Sequence, residues 1–204
     1  MKVGLLHNSL LELAIIGART CYNSLDKSDC MGEKDKALLR RLISSGHHSV
    51  IEHIVYTFSI KGISRALLQE LARHRIASYS VKSTRYTLKE LKNERFFTDN
   101  FKVKHDVLEK YCVYQEGFIG LNLAHMLEHI IQLLKDGFSN DQVKYLLPEA
   151  FKTELVMTIN ARSLRNLLHL RIDKRALKEF QELSKAIVDS LPKDHLILFE
   201  DILK

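Results

Sequence analysis

The chain has 204 residues, 46% hydrophobic and 27% charged, with eight glycines and two prolines; this fits a packed globule able to bury roughly 70% of its unfolded surface, and excludes disordered and collagen-like classes. No run approaches the roughly 18 apolar residues of a membrane span, and MKVGLLHNSLLELAII has one lysine and no small-residue cleavage site, so neither membrane anchor nor export signal is expected. The net charge of +6 is local: residues 61–95 hold nine Lys/Arg against three acids while the remainder balances at 22 of each sign, which implies an anionic partner near that block.

Residues 9–20 (SLLELAIIGART) and 33–45 (EKDKALLRRLISS) have helical apolar spacing, the second stopped by Gly46. The period then changes. In HIVYTFSIK, Ile54, Tyr56, Phe58 and Ile60 alternate with Val55, Thr57, Ser59 and Lys61, which predicts a half-buried strand ended by Gly62. ISRALLQELARHR returns to helical spacing through Ile63, Leu67 and Leu71, placing Arg73, His74 and Arg75 on its last turn, where the helix dipole favours cations. The serine-rich stretch after it reads as a loop leading to a strand near residues 84–88. Residues 105–136 form the longest helix candidate, and Ser139-Asn140-Asp141 caps a short helix ending before Pro148. Residues 151–159 read as a second long strand, Asn160 as the cap of NARSLRNLLHLR, and 174–190 as a further helix. With no repeat, low-complexity tract or linker, the expectation is one α+β domain, 1–204, with helices around a small sheet.

Cys21, Cys30 and Cys112 are odd in number and lack metal-ligand spacing, which fits a reducing cytosol and structural roles. RHRIASYSVKSTR, residues 73–85, concentrates three arginines, a lysine, a histidine and four hydroxyls. A solvated basic turn is the ordinary reading of a charge run. Guanidinium forks among hydroxyl donors are also what phosphate oxygens require, and an anion relieves their mutual repulsion. In NARSLRNLLHLR, the leucines supply a core face; Arg162 and Asn166, four apart, can present a guanidinium and an amide to one ligand. GHHSVIEH gathers His47, His48, Glu52 and His53 without a helical His pair. HMLEH, residues 125–129, has the form of inverted zinc peptidases through His125, Glu128 and His129, against the plainer reading of a polar stripe on an amphipathic helix.

In combination these motifs resemble the flavin-dependent thymidylate synthases. The family signature R-H-R, seven residues, S stands here as Arg73-His74-Arg75 and Ser83, continued by Thr84-Arg85-Tyr86. Glu52-His53 before a strand, Lys144 with Leu147-Pro148, and Asn160 through Arg171 follow in the family's order, so the resemblance covers nearly the whole chain. It implies a cytoplasmic homotetramer of α+β subunits, each with a small, mostly antiparallel sheet and surrounding helices. The implied activity makes dTMP from dUMP with 5,10-methylenetetrahydrofolate as carbon donor and NADPH as reductant through tightly bound FAD, with no metal, nucleic acid or membrane partner.

Carried over by position, the resemblance gives Ser49, Arg73, His74, Arg75, Asn160, Arg162 and Asn166 to FAD, with His47 and Glu52 in the flavin and folate vicinity. It gives Glu70, Arg73, Val81, Lys82, Ser83, Thr84, Arg85, Lys144 and Arg171 to dUMP, the 81–85 segment reaching in from a neighbouring subunit, and makes Arg171 the group that activates uracil. Three positions depart from the family pattern: Glu70 replaces a common glutamine, Val81 a glutamate or glutamine, and Lys144 an arginine. A guanidinium at the uracil edge would stabilise negative charge on the ring, whereas Ser83 lacks an assured base and is expected to position substrate. A nucleic-acid module built on the basic block and a zinc hydrolase built on HMLEH are the rival readings.

Overall fold

The computed structural model describes residues 1–94, 101–113 and 117–203. It opens with a strand that the sequence pattern does not announce, β1 (Lys2–Asn8), in which no residue is fully buried and apolar alternation is therefore faint. Helix α1 (Glu12–Cys21) and helix α2 (Glu33–Ser44) follow as expected, and Gly46 takes the left-handed conformation with φ of 77°. A 3-10 turn, His48–His53, packs against α1 so closely that a Cβ on Gly17 would lie 3.2 Å from the His53 ring.

Strand β2 (Val55–Ser64) buries Tyr56, Phe58 and Ile60 completely while its alternate residues are partly exposed. Gly62 does not end it: a glycine with φ of 74° lets the backbone bend while the strand runs on to Ser64. Helix α3 (Arg65–Leu71), capped where the Ser64 hydroxyl accepts from Leu67 N, is shorter than expected and leaves Arg73, His74 and Arg75 beyond its end. The helix dipole loses here to tertiary contacts, since the His74 carbonyl accepts from the Tyr79 hydroxyl at 2.9 Å and its ring meets Phe180 edge-on.

The next two expectations are reversed. The serine-rich stretch is strand β3 (Ala77–Val81), and the anticipated strand is helical, α4 (Thr84–Thr87) followed by α5 (Lys89–Lys92). β3 is an edge strand in which only Ala77 and Tyr79 are partly buried, so its period-2 signal is weak. The long helix is two, α6 (Phe101–Tyr111) and α7 (Gly117–Lys135), because Cys112 leaves helical geometry to bridge Phe151 and Gly117 has φ of 69°. Helix α8 (Asn140–Val143) has the expected Ser139 capping box, completed by Gln142. Strand β4 (Lys152–Asn160), helix α9 (Ala161–Arg171) and helix α10 (Lys178–Ser190) complete the named elements, before a terminal 3-10 stretch, Lys193–Leu198.

The sheet is small and antiparallel, in the order β1-β2-β4-β3. Its register shows where Ala161 N–H donates to Ile54 O and the Thr57 and Thr158 hydroxyls meet at 3.1 Å. The described residues form two compact units: one of 1–60, 72–80 and 156–204, the other of 61–71 and 81–155. The first has its core where Phe58, Met157, Leu164 and Phe180 are wholly buried. The second centres on α7, whose Leu127 and Ile131 are buried with Leu91, Cys112 and Val143. Of the three cysteines only Cys112 is buried; Cys21 and Cys30 are exposed, so burial supports a structural role for Cys112 alone. Among the described residues no helix is long and apolar enough to cross a membrane.

Candidate functional site

The first unit carries a cleft of about 830 Å³ lined by Glu52, residues 73–76, Asn160, Arg162, Ser163, Asn166, Leu170 and Arg171. Helix α9 supplies most of it because its two faces differ. Leu164, Leu167 and Leu168 are buried, while Arg162, Asn166 and Leu170, repeating every four residues, face the cleft. Arg165 departs from the other polar residues of the motif: it is buried, and its guanidinium forks onto Asp201 at 2.7 Å through both nitrogens and donates to the Leu198 carbonyl. That pair fixes the rotation of α9. At its start, Asn160 Oδ1 accepts from Ser163 N at 2.8 Å, the cap expected from the sequence.

Among the described residues, four arginines, Arg73, Arg75, Arg162 and Arg171, line this cleft against one carboxylate, Glu52, which holds Arg162 at 2.5 Å. Arg171 Nε donates to His74 Nε2 at 3.3 Å, and its guanidinium carbon lies 4.6 Å from the centroid of the Phe180 ring. Burial, reinforced by the charges of Arg171 and Arg73, pulls the His74 pKa below the ordinary histidine value. The imidazole is therefore neutral near pH 7, and can accept the Arg171 proton bond. The result is a cationic, amide-lined trough suited to phosphate oxygens and to the edges of a heterocycle.

The other expected residues lie elsewhere in this chain. In the second unit, Arg85 and Lys144 both approach Asp141 Oδ1, at 2.9 and 3.2 Å, and Asn140 donates to the Arg85 carbonyl. Hydrogen bonds donated to the carboxylate, from Lys144 first and also from Arg85, hold the Asp141 pKa below its usual range. Lys82 pairs with Glu154 at 3.4 Å and lines, with Thr84, a smaller cavity of about 210 Å³. Val81 and Ser83 are exposed, Ser83 at the start of α4, and Glu70 is partly buried on α3. Ser49 and His47 are exposed at the 3-10 turn; neither lines the arginine cleft, and His47 borders a different cavity with Arg19 and Arg41.

Leu170, expected on the core face with the other leucines of α9, is instead exposed in the cleft, and Ser163, Ile76 and Phe180 carry no signal of a site role in the motifs. Ser163 was legible as the third residue after a capping Asn, but Phe180 looks like any core residue of an amphipathic helix. On α7, His125, Glu128 and His129 form a polar stripe beside buried Leu123, Leu127 and Ile130, with His125 Nδ1 3.9 Å from Glu128. No group of three or more His, Cys, Asp or Glu able to hold a metal occurs among the described residues.

A family model described as thymidylate synthase complementing protein matches residues 6–195. The flavin-dependent thymidylate synthase of Wolinella succinogenes is 50% identical over 202 residues, covering 98% of this chain and 97% of the relative. That of Campylobacter jejuni is 46% identical, covering 100% and 98%. The crystal structure of thymidylate synthase X from Helicobacter pylori with FAD and dUMP superposes with a TM-score of 0.93 at 46% identity, covering 100% of this chain and 99% of that one.

Proposed function

The chain belongs to the flavin-dependent thymidylate synthase family, and from that premise we propose how its own residues divide the work of converting dUMP to dTMP. It is an FAD-dependent thymidylate synthase, using 5,10-methylenetetrahydrofolate for the carbon and NADPH as reductant. The observation that carries the assignment to residues is the cleft itself: four arginines, two amides and a neutral imidazole on a lining that is also partly apolar. This donor set fits FAD, whose pyrophosphate needs cations and whose ring edges need amide and backbone partners.

In this reading Arg73, His74, Arg75, Asn160, Arg162, Asn166 and Ser49 hold FAD, and His47 and Glu52 border the flavin and folate. Bound FAD supplies the hydride that completes the methyl group. Arg171 faces the N3/O2 edge of uracil and stabilises the negative charge that makes C5 nucleophilic toward the folate methylene carbon. Arg73 also reaches dUMP. Glu70, Val81, Lys82, Ser83, Thr84, Arg85 and Lys144 hold dUMP, Lys144 as a point charge without a guanidinium fork, and Val81 through its backbone alone. We place the 81–85 segment of this set in a neighbouring subunit of a cytoplasmic homotetramer, and treat residues 1–204 as one functional domain, since a single family match runs through both units.

Purified protein is expected to show the visible absorption of oxidised flavin and to form dTMP only when dUMP, methylenetetrahydrofolate and NADPH are all supplied. Colourless protein without turnover after FAD addition would refute the assignment.

Two variants test the division of labour. Ser83→Ala should raise the dUMP Kd about 10-fold, the worth of a hydrogen bond to a charged group, with kcat changed less than about 3-fold. Complete inactivity at full dUMP occupancy would instead make Ser83 a nucleophile. Arg73→Ala and Arg85→Ala homomers should each be nearly inactive, whereas co-expressed mixed tetramers should recover about one quarter of wild-type activity, because a random site draws both intact arginines from complementary chains that often. A full-activity monomer, or verified mixed tetramers without recovery, would confine the site to one chain.

A further inference from the structure

A second cavity, of about 870 Å³, opens in the same unit as the arginine cleft, and none of the residues given to FAD or dUMP lines it. One wall is a face of α2, where Lys34, Ala37, Leu38, Arg41, Leu42 and Ser45 recur at the three- and four-residue spacing that brings side chains together on a helix. The buried face of α2 is a different one, made by Asp35, Leu39 and Ile43, so the partly exposed Leu38 and Leu42 offer their apolar surface to the cavity. Helix α1 and the loop after it add Ala18, Tyr22, Ser24 and Lys27, and the Tyr22 ring is 76% exposed. Arg19 also lines the cavity, but Asp35 answers its charge at 2.5 Å. Among the described residues no carboxylate on the cavity wall answers Lys27, Lys34 or Arg41.

We propose that this cavity binds the aminobenzoyl-glutamate arm of the folate co-substrate, with Leu38, Leu42 and Tyr22 against the aryl ring and Lys27, Lys34 and Arg41 against the glutamyl carboxylates. The inference rests on the placing of His47 beside the folate. His47 lines this cavity, whereas Glu52, five residues on, lines the arginine cleft. The 3-10 turn His48–His53 joins the two positions, and a rise of about 2 Å per residue sets them roughly 10 Å apart along it. A folate whose carbon-donating end is at the cleft can cover that distance with its arm. The spacing of the cations points to the same ligand. Lys34 and Arg41 are seven residues apart on one helix, about 10 Å at 1.5 Å per residue. Cations so separated suit carboxylates strung along a chain, each meeting its own partner, whereas a single phosphate gathers its donors around one point. Each additional γ-linked glutamate brings one more carboxylate, so the cavity discriminates folates by glutamate number.

The test supplies the full-length FAD-loaded enzyme with methylenetetrahydrofolate carrying one or five glutamates. The KM of the unsubstituted enzyme is expected to be about 10-fold lower for the pentaglutamate, the combined worth of several exposed charge contacts, and this preference should shrink as ionic strength rises. In the triple variant Lys27→Gln/Lys34→Gln/Arg41→Gln, which keeps much of each aliphatic stem, the preference should fall to within about 2-fold. The KM for NADPH should move by less than about 2-fold and Tm should hold. Lys27→Arg/Lys34→Arg should retain the preference, which separates charge from shape.

Equal KM values for the two folates with the unsubstituted enzyme would overturn the proposal, as would a preference that survives removal of the three charges or is lost only in step with Tm. A rise in the KM for NADPH alone would give the cavity to the reductant and overturn it too. His47→Ala, read through the KM for the monoglutamate, separates the two levels of failure. If that KM is unmoved while the triple variant loses the preference, the placing of His47 fails and the arm site stands; if it rises while the triple variant keeps the preference, only the arm site fails.

Discussion

Arg171→Ala is expected to lower kcat for dTMP formation by about 10²- to 10³-fold, the usual cost of deleting one preorganised donor at a developing anion. The fold and the flavin spectrum should survive. Arg171 is partly exposed at the last turn of α9, whose packing rests on Leu164, Leu167, Leu168 and the Arg165–Asp201 fork. It also contacts the His74 ring, which lines the cleft, and the buried Phe180 ring. Arg171→Lys should fall in between, because a point charge can reach the same region without the planar fork. Turnover at saturating dUMP, flavin absorption and Tm measured together decide the matter: near-normal kcat removes Arg171 from the mechanism.

The largest stability effect is expected outside the arginine cleft, at Asp35. Its side chain is completely buried and joins α2 to α1, where Oδ1 accepts from Arg19 Nε at 2.8 Å and from Nη2 at 2.5 Å. Its other oxygen accepts from the Ser28 hydroxyl at 2.6 Å and from Met31 N at 3.2 Å. Replacing it with Ala leaves the buried guanidinium of Arg19 uncompensated, at an expected cost of about 3–5 kcal/mol. Urea unfolding would measure it, and a loss below about 1 kcal/mol would show that water reaches Arg19 in the variant.

The same residue makes an acid-stability prediction. Burial alone would raise the Asp35 pKa, but hydrogen bonds from Ser28, Arg19 and Met31 and the Arg19 charge bring it down to about 2. With its folded pKa depressed, Asp35 binds fewer protons folded than unfolded between that value and the ordinary aspartate range. Its contribution is therefore present above about pH 4 and lost as pH falls toward 2. Asp35→Asn should be less stable at neutral pH and show a shallower loss across that window.

These two sites differ in how far they could be read from the chain. The arginines, amides and hydroxyls of the 73–85 and 160–171 segments are legible as ligand-binding chemistry because their residue types and order are local properties. The same holds for the alternation in β2, the Ser139 and Asn160 caps and the amphipathic stripe of α2: each is set by a few neighbouring residues and each element forms, although β2 runs past Gly62 to Ser64.

Only the tertiary structure decided the rest. Whether 77–81 extends and 84–87 coils depends on an edge position in the sheet, which mostly exposed residues do not encode in their own spacing. Helix α3 ends before His74, which Tyr79 and Phe180 hold in a non-helical conformation that outweighs local propensity. Arg162 and Arg165 are three residues apart with the same chemistry, but Glu52 meets one in the cleft and Asp201 holds the other in the interior. Local sequence specifies which cationic, amide and hydroxyl groups the chain carries in these two segments. Their assembly rests on contacts such as those of Arg171 with His74, 97 residues away, and with Phe180 on the next helix, whose free energy exists only once the chain has packed.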